Sequence, residues 1–156
     1  MKSRILVAID ESENALRAAA FVGRHISPDH HVLLLSVVPD TAALCDMNSP
    51  GLSPYFMSQK GAFCSLEDKK KEILSQAMAE AKESLVKAGF APEDISTKIA
   101  TQQKGVARDI LAEAASGYDM VVLGRRGLSG IQGFLMGSVS HKVLNGSGDV
   151  PVVLVG

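Results

Sequence analysis

Apolar residues fall in short, nearly continuous runs separated by longer amphipathic stretches. Arg4–Ile9 (RILVAI), His31–Val38 (HVLLLSVV), Asp119–Leu123 (DMVVL) and Pro151–Val155 (PVVLV) have the length and continuity of strands covered on both faces of a parallel sheet. Ile95–Thr101 (ISTKIAT) alternates instead, which suits a strand nearer an edge. Between the first two runs, Glu13–His25 carries Leu16, Ala19, Ala20 and Gly23 at helical spacing. It ends before Ser27-Pro28-Asp29, because proline cannot continue a helix. Leu66, Ile73, Leu74, Ala77, Met78, Ala81 and Leu85 mark one face of a second helix, with Lys69–Lys71, Glu80 and Glu83 mostly on the other. Ser65-x-x-Asp68 would open that helix as a capping box and Gly89 would stop it. Val106–Ser116 and Ser138–Leu144 predict two more helices, closed by Gly117 and by Asn145-Gly146. Pro39–Ser65 breaks the pattern with Pro, Gly, Ser and Asn. It reads as a long loop or excursion, a feature usually functional or mobile in compact domains.

Strands alternating with helices imply βαβ units, and so an α/β domain over residues 1–156 with an open five-stranded parallel sheet and helices on both faces. Ligands of such sheets bind beyond the carboxyl ends of the strands, where the strand order reverses. The first and fourth strands end at Asp10 and Gly124, and those positions are the places to look.

Composition narrows the chemistry. A net charge of −1 gives no basic face for a nucleic-acid backbone, and aromatic residues at 4%, with no Trp, offer few platforms for stacked bases. A phosphate site here must be small and local. No apolar run approaches the ~20 residues of a membrane span, and Lys2 and Arg4 precede too short an apolar stretch for a secretory signal. The expected compartment is the cytoplasm, with Cys45 and Cys64 as free thiols; they lack the spacing of a metal site.

The strongest local signal is Gly124-Arg125-Arg126-Gly127, continuing through Gly130, Gly133 and Gly137 to Ser138. Glycines at a strand-to-helix junction permit positive φ and close backbone approach, and their N–H groups can cradle phosphate oxygens. The N–H groups at Val139 and beyond would add the positive end of a helix dipole. Ser138 is open to two roles, a hydroxyl on phosphate or the N-cap of its own helix. Arg125 and Arg126 either fork onto phosphate or face solvent. Neither GxxxxGK[ST] nor GxGxxG occurs, and a glycine-rich surface turn without a ligand is the competing reading. Asp10 is likewise open, as a ligand group or as part of an Asp10-x-x-Glu13 capping box, with Ser12 a rival cap. The four histidines are scattered, and only His141 falls near this loop.

The spacing Gly124-x2-Gly127-x9-Gly137-Ser138 resembles the nucleotide-binding pattern G-x2-G-x9-G-(S/T) of universal stress proteins. VAIDES after the first strand, YDMVVLGRRGLSG around the fourth and PVVLV at the end agree with that family. The resemblance implies strand order 3-2-1-4-5 and binding of ATP, with Mg²⁺ on its phosphates. It implies that Ala8, Ile9 and Asp10 lie along the adenosine, and that the backbone of Val38 meets adenine. Gly124, Arg125, Gly127, Gly137, Ser138 and Val139 would surround the phosphates. Ala8 stands where the family often has Pro, and Glu11 where it often has a small residue; Glu11 is expected to face solvent. The resemblance also implies a homodimer paired through Pro151–Val155. A regulatory ATP-binding protein needs only this loop and Asp10. A slow ATPase or phosphotransferase would also need a positioned base, for which no convincing residue stands out. A structural dimer with an empty loop is the third expectation.

Overall fold

The computed structural model describes residues 1–10, 12–41, 45, 54–125 and 136–156. Five strands form one parallel sheet: β1 (Arg4–Ala8), β2 (His31–Val38), β3 (Ile95–Thr101), β4 (Met120–Gly124) and β5 (Val152–Val155), in the order β3-β2-β1-β4-β5. Among the described residues the α-helices that connect and cover it are α1 (Glu13–His25), α2 (Pro54–Lys87), α3 (Val106–Ala114) and α4 (Ser138–Gly146). Alternation along β1 shows why its run is continuous. Ile5 and Val7, with Ile9 beyond the strand, enter one core with α1 and α2, while Leu6 enters the other with α3 and α4. β2 divides in the same way, with Val32 and Leu34 on the first face and Leu33 and Leu35 on the second. A strand with two buried faces has no polar position to spare. β3 is an edge strand; its polar residues are exposed, and so is the apolar Ile99.

α1 is capped by Ser12, whose hydroxyl accepts from the Ala15 N–H at 3.3 Å. α2 ends in a Schellman motif: Gly89 takes φ +106°, and the Phe90 N–H reaches back to the Leu85 carbonyl at 3.1 Å. Phe90 then drops into the core, 1% exposed.

α2 departs from the sequence expectation at its start. It begins at Pro54 rather than at Ser65, which lies mid-helix. Proline is tolerated in the first turn of a helix, and Gly61 is a cost of only about 1 kcal/mol to a helix interior. At 1.5 Å per residue the 34 residues of α2 extend about 51 Å, whereas the eight of β2 extend about 26 Å. The helix therefore overhangs the sheet. Leu74, Ala77, Met78, Ala81 and Leu85 are buried against the core as expected, whereas Leu66 and Ile73 are half-exposed.

The longer helix also corrects the expectation of free thiols. Cys64 is carried ten residues into α2, where its Cα stands 5.9 Å from that of Cys45, and the two form a disulfide.

Near the amino-terminal ends of the strands, Lys2 Nζ donates to Asp94 Oδ2 at 2.8 Å, and His31 Nδ1 lies 2.7 Å from Asp94 Oδ1. The Lys2 hydrogen bond is the main cause that holds the Asp94 carboxyl below its usual 3.8, with desolvation opposing it. A depressed carboxylate contributes stability that is complete above its unfolded pKa and is lost as pH falls through the folded value. Asp94→Asn is therefore expected to lower the urea midpoint at neutral pH. The gap to the parent should begin to narrow as pH drops below about 4 and close below the folded pKa; a gap unchanged by acid would remove this role.

Candidate functional site

The carboxyl ends of β1 and β4 lie side by side at the point where the strand order reverses, since β1 pairs with β2 on one side and β4 on the other. Beyond β1 the Ile9 N–H donates to the Leu35 carbonyl at 2.8 Å, and its side chain is 3% exposed in the core. Ile9 can thus face a ligand only with its carbonyl. Ala8 is half-buried on the opposite face, beside the α3–α4 core. Asp10 follows, half-buried, and its Oδ1 accepts from the Ser12 N–H at 2.7 Å. This small turn settles the capping question: Ser12 caps α1, and Asp10 braces the cap. Oδ2 of Asp10 lies outside that bond. Glu11 lies outside the described residues.

At the end of β2, the Val38 carbonyl accepts from the Gln102 N–H at 2.7 Å. A carbonyl oxygen has a second lone pair, and a base contact at that oxygen would use it.

Beyond β4 the two ends of the glycine-rich segment meet. The Gly137 N–H donates to the Arg125 carbonyl at 2.7 Å, and Ser140 Oγ donates to the Gly124 carbonyl at 2.6 Å. The Arg125 N–H in turn reaches the Val155 carbonyl of β5 at 2.7 Å. Arg126, Gly127, Gly130 and Gly133 lie outside the described residues. The base of the loop is thus pinned to the sheet, and α4 starts from that pin. Its N-cap is Gly137, which has no side chain to cap with, so Ser138 is the first helical residue and not the cap. The first intrahelical bond runs from the His141 N–H to the Gly137 carbonyl. Helix geometry leaves the N–H groups of Ser138, Val139 and Ser140 without an intrahelical acceptor. Three donors and the positive end of a nine-residue helix therefore face the carboxyl edge of the sheet, an arrangement suited to an anion.

Two glycines of the segment do not behave as their type suggests. Gly137 has φ −73°, and Gly124 is absent from the positive-φ glycines among the described residues. Gly124 is needed for space instead. A Cβ there would stand 2.7 Å from Asn14 Cβ and 2.9 Å from the Asn14 carbonyl carbon. The missing side chain lets the first turn of α1 sit on the end of β4.

The whole chain, residues 1–156, matches the family model for universal stress proteins. The chain belongs to the universal stress protein family. No curated protein matches the sequence. Among solved structures, the hypothetical protein MJ0577 superposes with a TM-score of 0.71 at 23% identity, over 99% of this chain and 96% of that one. A universal stress protein in complex with cAMP gives 0.64 at 20% identity, over 99% and 96%. The universal stress protein from Archaeoglobus fulgidus in complex with dAMP gives 0.60 at 14% identity, over 100% and 98%. At these identities the likeness establishes the fold.

Within this universal stress protein fold, the sequence reading missed Ser140 and Asn14. Ser140 is buried and ties α4 to β4, and its signal was only its place one turn into a helix after glycines. Asn14 had no signal, because its role depends on a contact with Gly124, 110 residues away. His141 is exposed, with Nε2 3.0 Å from Asn145 Nδ2 on the next turn of α4. No group of three His, Cys, Asp or Glu residues that could hold a metal occurs among the described residues, and no helix there is long and apolar enough to cross a membrane.

Proposed function

We propose that the protein is an ATP-binding regulator of the stress response. The observation that carries this reading is the pinned loop base beside Asp10. The bonds from Gly137 to Arg125 and from Ser140 to Gly124 hold three helical N–H donors at the switch point of the sheet. The complexes of two structural neighbours with cAMP and dAMP lend support to an adenine nucleotide. Asp10 Oδ2, the Ile9 carbonyl and the second lone pair of the Val38 carbonyl are assigned to adenosine. Gly124, Gly127, Gly137, Ser138 and Val139 are assigned to the phosphates, whose outer oxygens carry Mg²⁺. No catalytic base is assigned. The protein acts through the nucleotide-bound state, and phosphate release from ATP well above the uncatalysed rate would replace this reading by a slow ATPase.

The test is calorimetric titration of Mg·ATP into nucleotide-stripped protein, beside the Gly137→Asp variant. Aspartate is a favoured N-cap and suits the extended backbone at Gly137, so the variant should fold. Its carboxylate would occupy the place of a phosphate, and like charges placed together weaken binding by roughly hundredfold or more. Asp10→Ala should weaken binding without uncapping α1. A parent that binds no ATP would overturn the proposal.

β5 is the outer strand beyond β4, and all four of its residues are only partly buried. An open edge of this kind is a template for pairing. We place a second copy there, paired along Pro151–Val155 about a two-fold axis. Sedimentation of the same preparation as a monomer at micromolar concentration would remove the dimer.

A further inference from the structure

A cleft of about 250 Å³ opens on the α1 side of the sheet, lined by Asn14, Arg17, Arg125 and Gly156. It lies at the carboxyl ends of β4 and β5. α4 packs in the core on the other side of the sheet. Two of its four lining residues are arginines. Arg125 enters none of the ion pairs or side-chain hydrogen bonds among the described residues, and its Nε is buried without a partner. Buried polar nitrogens are seldom left so, because water's hydrogen bonds are lost with nothing in exchange. Gly156 does not satisfy the group. A Cβ on Gly156 would stand 3.3 Å from Arg125 Cζ and 3.4 Å from both Nε and Nη2. An approach in the guanidinium plane would come nearer to the nitrogens than to the carbon, so Gly156 lies over the face, not at the hydrogen-bonding rim. Among the described residues Arg17 pairs only with Glu13, at 3.6 Å, with both side chains well exposed. Such a pair is weak and easily exchanged.

From these contacts we infer that the cleft is a phosphoryl-oxyanion site, held by the Arg17 and Arg125 guanidinium groups. Planar guanidinium forks match the spacing of phosphoryl oxygens, and two of them line this one cleft. Arg125 thus turns toward α1 and works apart from the helix α4 donors. The phosphoryl group has two sources, free inorganic phosphate or the distal phosphate of a bound nucleotide. Only the second rests on the nucleotide reading above.

The experiment is calorimetric titration of inorganic phosphate, ATP and AMP into the parent, Arg17→Gln and Arg125→Gln. Loss of a charge-assisted hydrogen bond is expected to weaken the ligand about tenfold in each variant. Phosphate binding weakened in both variants, with the ratio of ATP to AMP affinity unchanged, supports the site with free phosphate as its ligand. ATP weakened and AMP unchanged supports it with the distal phosphate as its ligand. If the parent binds no nucleotide, the phosphate titration still decides. Variants that alter neither phosphate affinity nor the ATP-to-AMP ratio overturn the inference, provided their urea midpoints match the parent's.

Discussion

Gly124→Ala will destabilise the fold by about 1–3 kcal/mol, toward the upper end of what one added methyl costs in a filled core. The added Cβ would meet Asn14 Cβ at 2.7 Å, the Asn14 carbonyl carbon at 2.9 Å and its oxygen at 3.0 Å. Two of those three atoms are backbone, and a helix backbone cannot rotate out of the way as a side-chain tip can. α1 must therefore shift as a body. It is packed against α2 through Ala15, Ala18, Ala19 and Val22, all buried, so the shift is resisted along its length. Gly146→Ala makes a useful contrast. There the clash is with Leu111 Cδ1 at 2.6 Å, the end of a side chain that can change rotamer. The urea midpoints of the two variants should differ, with Gly124→Ala the lower. Equal midpoints would show that α1 yields freely. On the nucleotide reading, Gly124→Ala should also weaken ATP, because the same shift moves Ser12 and with it the Asp10 turn.

Reduction of the Cys45–Cys64 disulfide is expected to cost roughly 3 kcal/mol. The bond spans a sequence separation of 19, and in the chain-entropy account a loop of about that length restrains the unfolded chain by that amount. The loss should be local before it is global. No described residue of α2 ahead of Leu74 is buried, so apolar burial does little to tie Pro54–Ile73 to the core. Hydrogen exchange is expected to quicken across that half of α2 in dithiothreitol and in Cys64→Ser, while the amides of β1, β2 and β4 keep their protection. Identical exchange and identical urea midpoints in the oxidised and reduced protein would show that the pair carries no such load.

Much of the fold was legible because its signals are local. The runs at Arg4–Ile9 and His31–Val38 suited strands covered on both sides, and Gly89 marked the end of α2 through a conformation that favours glycine. The start of α2 was misread because a capping box at Ser65 is also an ordinary solvent-exposed helical sequence. Nothing local tells a Pro54 that breaks a chain from one that opens a helix. Leu66 and Ile73 belong to the apolar face read from the sequence and are nonetheless half-exposed, for a related reason. Periodicity reports which face of a helix is apolar, but not how far the sheet beneath it extends.

The site divides along the same line. Spacing alone singled out Gly124, Gly137 and Ser138, because a glycine-rich junction between a buried strand and a helix is written in consecutive residues. The chain by itself thus determined the alternation of strands and helices, two cores separated by one sheet, and a loop at the carboxyl end of β4. Tertiary structure alone decided that Ser12 and not Asp10 caps α1, that Gly124 makes room for Asn14, and that Cys45 meets Cys64. It also decided that Arg125 and Arg17 line one cleft. Each of these depends on a distance between elements remote in sequence or on a choice between neighbouring acceptors. Hydrophobic pattern carries no distances, and packing supplies them only once the sheet has formed.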